Sequence, residues 1–226
     1  VAEGSNLYIK TMQKLGLPYN RDFNNGSQYG VGLMQYTIGN GKRCDTISSL
    51  IEPILHNKKL NIKLNTVVTK LIIENKKAIG VETVSNGRYE KIFGKEIILT
   101  AGALVTPKIL MHSGVGEEKL LKNFDIKVEE NLIGVGRNLQ DHHEVPFVAR
   151  AKSGFGYFKQ NKGFRMIRNG IQYLLFKSGP VTSNGVDCCS FLNPENLHDQ
   201  NDPKIKLYCV QIMYTDRDTK GVEPDH

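Results

Sequence analysis

The order of apolar and polar positions predicts a mixed chain of helices and strands. Leu7, Ile9, Met12 and Leu15 recur at a helical period across residues 5–16, and Gly16 ends the run. Residues 21–43 are rich in Gly and Asn and read as a long irregular loop, a length usually tied to function. Ile47, Leu50, Ile51, Ile54 and Leu55 mark one face of a helix over 46–56, capped by Asp45 or Thr46 and kinked at Pro53. The period then shortens to that of strands. Residues 61–64, 67–73, 78–84, 89–93 and 96–100 read as successive strands, and Asn86-Gly87 between two of them predicts a hairpin turn.

The run Ile97-Ile98-Leu99 suits a buried strand, and the small residues Ala101-Gly102-Ala103 follow it. A helix is then predicted from Thr106 as cap and Pro107 as first residue, carrying Ile109, Leu110 and Met111 and stopping at Gly114. Glu117-Glu118 open a short helix, where negative charge suits the helix dipole. In residues 131–143, Gly134 and Gly136 permit unusual backbone angles, while Asn138, Gln140, Asp141 and His142 supply polar groups in one turn. Further on, 164–176 is an amphipathic helix with Phe164, Ile167, Ile171, Leu174 and Leu175 on one side. Residues 203–214 alternate as a half-buried antiparallel strand, with Ile205, Leu207 and Cys209 inward.

Composition changes this picture little. The 226 residues suffice for one large domain or parts of two, and a 39% hydrophobic fraction is that of a globular protein. No apolar run approaches the roughly 18 to 20 residues of a membrane span. The charge of +7 raises the question of a polyanionic partner such as nucleic acid, but the lysines are scattered and arginine is sparse. Cys44, Cys188, Cys189 and Cys209 lack metal-ligand spacing and read as buried thiols, so no metal site is expected. Val1 is not an initiator methionine and no leader follows it, so the chain reads as a processed or excised piece.

Resemblance gives the chemistry. The stretch GALVTPKILMHSGVG, with Gly102, Ala103, Thr106-Pro107, Ile109-Leu110 and Ser113 to Gly116, resembles the second signature of the glucose-methanol-choline (GMC) oxidoreductases, flavoenzymes that oxidise alcohols. GVGRNLQDH at residues 134–142 is similar to the element that follows this signature and lies close to the cofactor. Residues 61–82 resemble the strand whose valine, here Val68, contacts the adenine of FAD through its backbone. Residues 22–35 resemble the segment beside the flavin and the substrate entrance, and GPVTSNG from Gly179 resembles the start of the substrate domain.

The resemblance implies an α/β fold: the C-terminal portions of an FAD-binding Rossmann-like domain with a β-meander over 1–150, and part of an antiparallel-sheet substrate domain over 151–226. It places Val68, Ala101, Gly102, Asn138, Asp141 and His142 at the cofactor and Gln35 in the substrate region. It implies oxidation of a primary alcohol, choline-like or aryl, with hydride passing to FAD and electrons leaving to oxygen or another acceptor. Its catalytic histidine is expected beyond His226, and no Gly-x-Gly-x-x-Gly after a strand is found, so the chain reads as the middle of a larger enzyme, inactive alone. Asp141-His142 is therefore not read as a catalytic dyad. The Lys-, Asn- and Ile-rich wording resembles members of the family from giant viruses. The rival expectation is a non-catalytic scaffold on the same fold, associated with nucleic acid or part of a virion, for which the positive charge speaks.

Overall fold

The computed structural model describes residues 2–147, 156–157 and 159–211. The elements run in order as α1 (Glu3–Lys14), then β1 (Gly30–Leu33), β2 (Ile38–Gly39) and β3 (Lys42–Arg43). Next come β4 (Val67–Glu74), β5 (Lys77–Ser85), β6 (Arg88–Phe93), α2 (Gly102–His112), β7 (Val115–Gly116), α3 (Glu118–Lys122) and β8 (Glu130–Asn131). The last are α4 (Gly163–Phe176), β9 (Val186–Leu192) and β10 (Ile205–Val210). Two compact units result, one from Val1–His56 with Val145–His226 and the other from Asn57–Glu144.

In the first unit β9 lies between β1 and β10, antiparallel to both. Ile9 and Met12 of α1 pack with Leu17, Val31, Cys188 and Leu192 into its core. The expected 5–16 helix forms as α1, although Leu7 and Leu15 face outward. The expected loop over 21–43 is corrected: it contains β1 and the β2–β3 hairpin. Glycines hid the strand, and they are there for a reason. Val31 is fully buried, its amide donates to Pro18 O at 2.9 Å, and its carbonyl accepts from Asn20 N at 2.9 Å. A Cβ on the next residue, Gly32, would meet Asn20 O at 2.0 Å, so only glycine lets these backbones approach.

The helix expected over 46–56 divides into a π-turn at Ile47–Ile51 and a 3-10 turn at Glu52–Ile54. Asp45 caps it, accepting the Ser48 amide at 2.8 Å, but Pro53 interrupts the hydrogen-bond ladder and Ile47, Leu50, Ile54 and Leu55 stay exposed. The 164–176 helix forms as α4, and its apolar side is exposed as well, with Phe164 at 79%. What α4 buries is Asn169, whose amide donates to the Gln160 carbonyl and side chain, both at 3.0 Å. The strand expected from 203 is β10, and of its three expected inward residues only Cys209 packs against the core. Ile205 and Leu207 are exposed, Cys209 is half-buried, and Lys206 lies over the rings of Phe191 and Tyr208. Residues 212–214 of that expected strand lie outside the described residues.

In the second unit β4, β5 and β6 form an antiparallel meander, with Asn86 and Gly87 both at positive φ in the hairpin between β5 and β6. Residues 61–64 are not a strand. Nor do residues 97–100 pair with any strand among the described residues. A parallel-type strand needs neighbours for its amides, and Ile98 is 76% exposed. α2 begins at Gly102, four residues before the expected Thr106 cap, and Pro107 stands inside it.

At its far end Ser113 ties α2 to the meander. Its hydroxyl accepts the Leu71 amide of β4 at 2.7 Å and donates to Ile109 O at 2.6 Å. The helix after Glu117 forms as α3, with its Glu118 amide capped by Asn131 Oδ1 at 3.0 Å. In the full-length protein, Ser113→Ala would strand the buried Leu71 amide and lower stability by about 1–3 kcal/mol. Urea unfolding checks this: the midpoint falls while the slope stays as in the parent.

Candidate functional site

The meander and α2 frame one side of the site. Val68 lies on β4 opposite Thr83 of β5, half-buried, and the register slips between Val68 and Lys70. Thr69 is the extra residue, and its hydroxyl donates to Glu82 O at 3.2 Å. Such bulges recur beside binding sites because they re-aim the local backbone. β4 packs against α2, so the bulge and the helix belong to one surface layer.

The start of α2 is the most informative turn. Ala101 has φ −82° and ψ 9°, in the bridge region, and Gly102 has φ 85°. Only glycine takes that angle without strain, yet a Cβ there would meet nothing within 4 Å. The protein itself leaves the front of Gly102 open. No side chain caps the helix, so its first amides, at the positive end of the dipole, are left without a side-chain partner. The bare, uncapped turn fits the approach of a flat nucleotide such as FAD.

The 131–143 segment comes back over the same helix. A Cβ on Gly136 would lie 3.3 Å from Met111 Cε and 3.7 Å from Pro107 Cβ, so this turn rests on α2. Asn138 follows at φ 57°, a left-handed angle that asparagine tolerates. Asp141 and His142 are exposed, and the Asp141 carboxylate accepts the His142 amide at 2.8 Å, a local turn contact and not an acid–base pairing. Among the described residues no group of three His, Cys, Asp or Glu gathers as a metal site would need.

Val68, Ala101, Gly102, Asn138, Asp141 and His142 thus all fall in the second unit. Gln35 falls in the first, where it braces the 22–24 turn: its Nε2 donates to Asp22 Oδ1 at 2.7 Å, and its Oε1 accepts from Asn24 Nδ2 at 3.1 Å. The Asn24 amide and then Gln35 hold the Asp22 carboxyl below its usual range. Gln35 is a brace as well as a substrate-region candidate.

One charged residue that the sequence did not mark out lies in a cleft. Asp187, at the start of β9, lines a cleft of ≈ 400 Å³ with Ala2, Gly156, Tyr157, Gly179, Pro180, Thr182 and Ser183. It accepts from Ala2 N at 2.7 Å, Ser5 Oγ at 3.2 Å, Tyr157 OH at 3.1 Å and Ser183 Oγ at 2.7 Å. Burial alone would raise its pKa, but the Ala2, Ser183 and Tyr157 hydrogen bonds outweigh that and hold it below the usual carboxylate value. Four neutral donors thus converge on one carboxylate in the lining of the cleft. The available signal was an acid between the Ser/Asn-rich GPVTSNG turn and an apolar strand. A larger hollow of ≈ 530 Å³ over Ser85, Asn86 and Arg88 holds none of the expected residues.

Comparison with known proteins fits this geometry. The GMC oxidoreductase N-terminal family model matches residues 3–144. The oxygen-dependent choline dehydrogenase of Sinorhizobium fredii is 34% identical over 209 residues, which are 92% of this chain and 38% of that protein. The mitochondrial choline dehydrogenase of Mus musculus is 33% identical over 186 residues, 82% of this chain and 31% of that one. Among solved structures, an FAD-dependent oxidoreductase from Chaetomium thermophilum superposes with a TM-score of 0.74 at 25% identity, over 84% of this chain and 34% of its own. The chain therefore spans less than two-fifths of the length of these relatives. None of these likenesses supports a non-catalytic scaffold. The signature at α2, the strand with its bulge at Val68 and the match over residues 3–144 place this chain in the GMC oxidoreductase family.

Proposed function

We propose that the whole protein is an FAD-dependent oxidoreductase of primary alcohols, with a choline-like alcohol as first candidate and an aryl alcohol as second. The observation that carries this is the open, uncapped turn at Ala101-Gly102 in a chain that matches choline dehydrogenases. FAD, when bound, supplies the hydride acceptor. The residues here bind and orient it. Val68 offers backbone groups beside its bulge, Gly102 admits the nucleotide to the helix start, and the Asn138–His142 turn closes over α2. Oxygen, as in the name of the Sinorhizobium relative, is the proposed electron acceptor. Residues 1–150 take the role of FAD-binding domain and 151–226 the start of the substrate domain, in keeping with a family match that ends at residue 144.

Asp187 favours the choline-like alcohol in this reading. A charged carboxylate lining a cleft attracts a cationic substrate and is indifferent to a neutral ring.

The purified full-length protein is expected to be yellow and to bleach anaerobically on addition of its alcohol; a colourless protein that binds no added FAD defeats the proposal. Gly102→Val puts a branched side chain at φ 85° and into the open space, so bound flavin per protein should fall at least tenfold while the fold persists by circular dichroism. Asp187→Asn should raise KM for choline about tenfold, roughly 1.4 kcal/mol, and leave KM for a neutral aryl alcohol within about twofold.

A further inference from the structure

Two thiols face each other across the β9–β10 ladder. Cys188 and Cys209 are Cα partners in the antiparallel register, and directly opposed residues project to the same side of a sheet. Opposed Cα atoms in such ladders stand about 4.5 or 5.5 Å apart. Both separations fall within the roughly 4.4 to 6.8 Å that a disulfide accepts. Cys189 points to the opposite side and lies against Tyr208, so it does not compete.

Their surroundings differ in a useful way. Cys188 is fully buried among Ile9, Met12, Leu17, Val31 and Leu192, with its Sγ 3.7 Å from Ser5 O. Cys209 is only half-buried and receives the Gln211 amide at 2.9 Å. The register slips directly after Cys209, which gives the strand local freedom at this point.

We infer that Cys188 and Cys209 form a cross-strand disulfide driven by hydrogen peroxide, with Cys209 as the attacking sulfur and Cys188 as the resolving one. The Cys209 thiolate attacks one peroxide oxygen and the O–O bond breaks. Cys209 becomes a sulfenic acid, and the departing hydroxide takes a proton to leave as water. Cys188 then attacks the Cys209 sulfur and loses its proton, and the S–O bond breaks to release a second water. Two thiols lose two electrons while one peroxide becomes two waters.

The division of roles agrees with the local electrostatics. The adjacent Cys188 thiol draws the Cys209 thiol below its usual value, and Gln211 helps, against burial and the nearby charge of Asp187. The same pairing, followed by burial, pushes Cys188 up. The neighbouring Tyr8 hydroxyl, half-buried and pushed up to about 12, stays neutral. Cys209 is thus the more reachable of the two thiols and the more readily ionised.

The test treats full-length protein with hydrogen peroxide, alkylates free thiols in denaturant, and maps digested peptides by mass spectrometry. Cys189→Ser is used as background so that the linked sulfur in the adjacent pair is unambiguous. The expected product is a Cys188–Cys209 linked peptide, lost on dithiothreitol treatment and reduced to background in Cys209→Ser. In Cys188→Ser the sulfenic acid should persist and be trapped by dimedone at Cys209. Oxidation of Cys209 to sulfinic acid without a link, a link through Cys44, or peroxide-resistant thiols at both positions would each overturn the inference.

Discussion

The first unit depends on one non-local pairing. Four residues, Gly30 to Leu33, hydrogen-bond in register with Phe191 to Cys188, far along the chain. Closing so long a loop is entropically costly, and a four-residue ladder does not offset it alone. The buried side chains beneath do, with Val31 and Cys188 both fully enclosed against α1. The same pairing places Asp187 at the mouth of its cleft, where residues near positions 2, 5, 157 and 183 reach one carboxylate. Fold and charged site share a single cause.

The second unit has more local logic, and it was correspondingly easier to read. The β4–β5–β6 meander declares itself by alternating apolar positions, and its Asn86-Gly87 turn by a residue pair that accepts positive φ twice. The asparagine bias has a structural outlet in both units. Asn40 in the first, and Asn65, Asn75, Asn86 and Asn138 in the second, hold left-handed angles that most side chains resist.

What the sequence concealed has specific reasons. β1 was hidden because its glycines, chosen for close backbone approach at Asn20, carry none of the apolar signal of a strand. The run at 97–100 has that signal but neither burial at Ile98 nor a ladder partner among the described residues. The apolar side of α4 is legible from its period, but amphipathicity does not show what covers it. The Gly102 turn was legible through resemblance, and the structure adds why a helix beginning there leaves amides uncapped. Asp187 was missed because a single acid has no pattern, and its meaning comes from the four groups that converge on it.

β10 carries a final implication. It is the outer strand of its sheet among the described residues, and outer strands invite further chains to add on. Lys204 just before it and Lys206 along it, with the slip in register after Cys209, make this border charged and uneven. An incoming strand would have to bury those ammonium groups and match a broken repeat. The irregularity that loosens the sheet at Cys209 therefore also discourages fibrous self-association along that border.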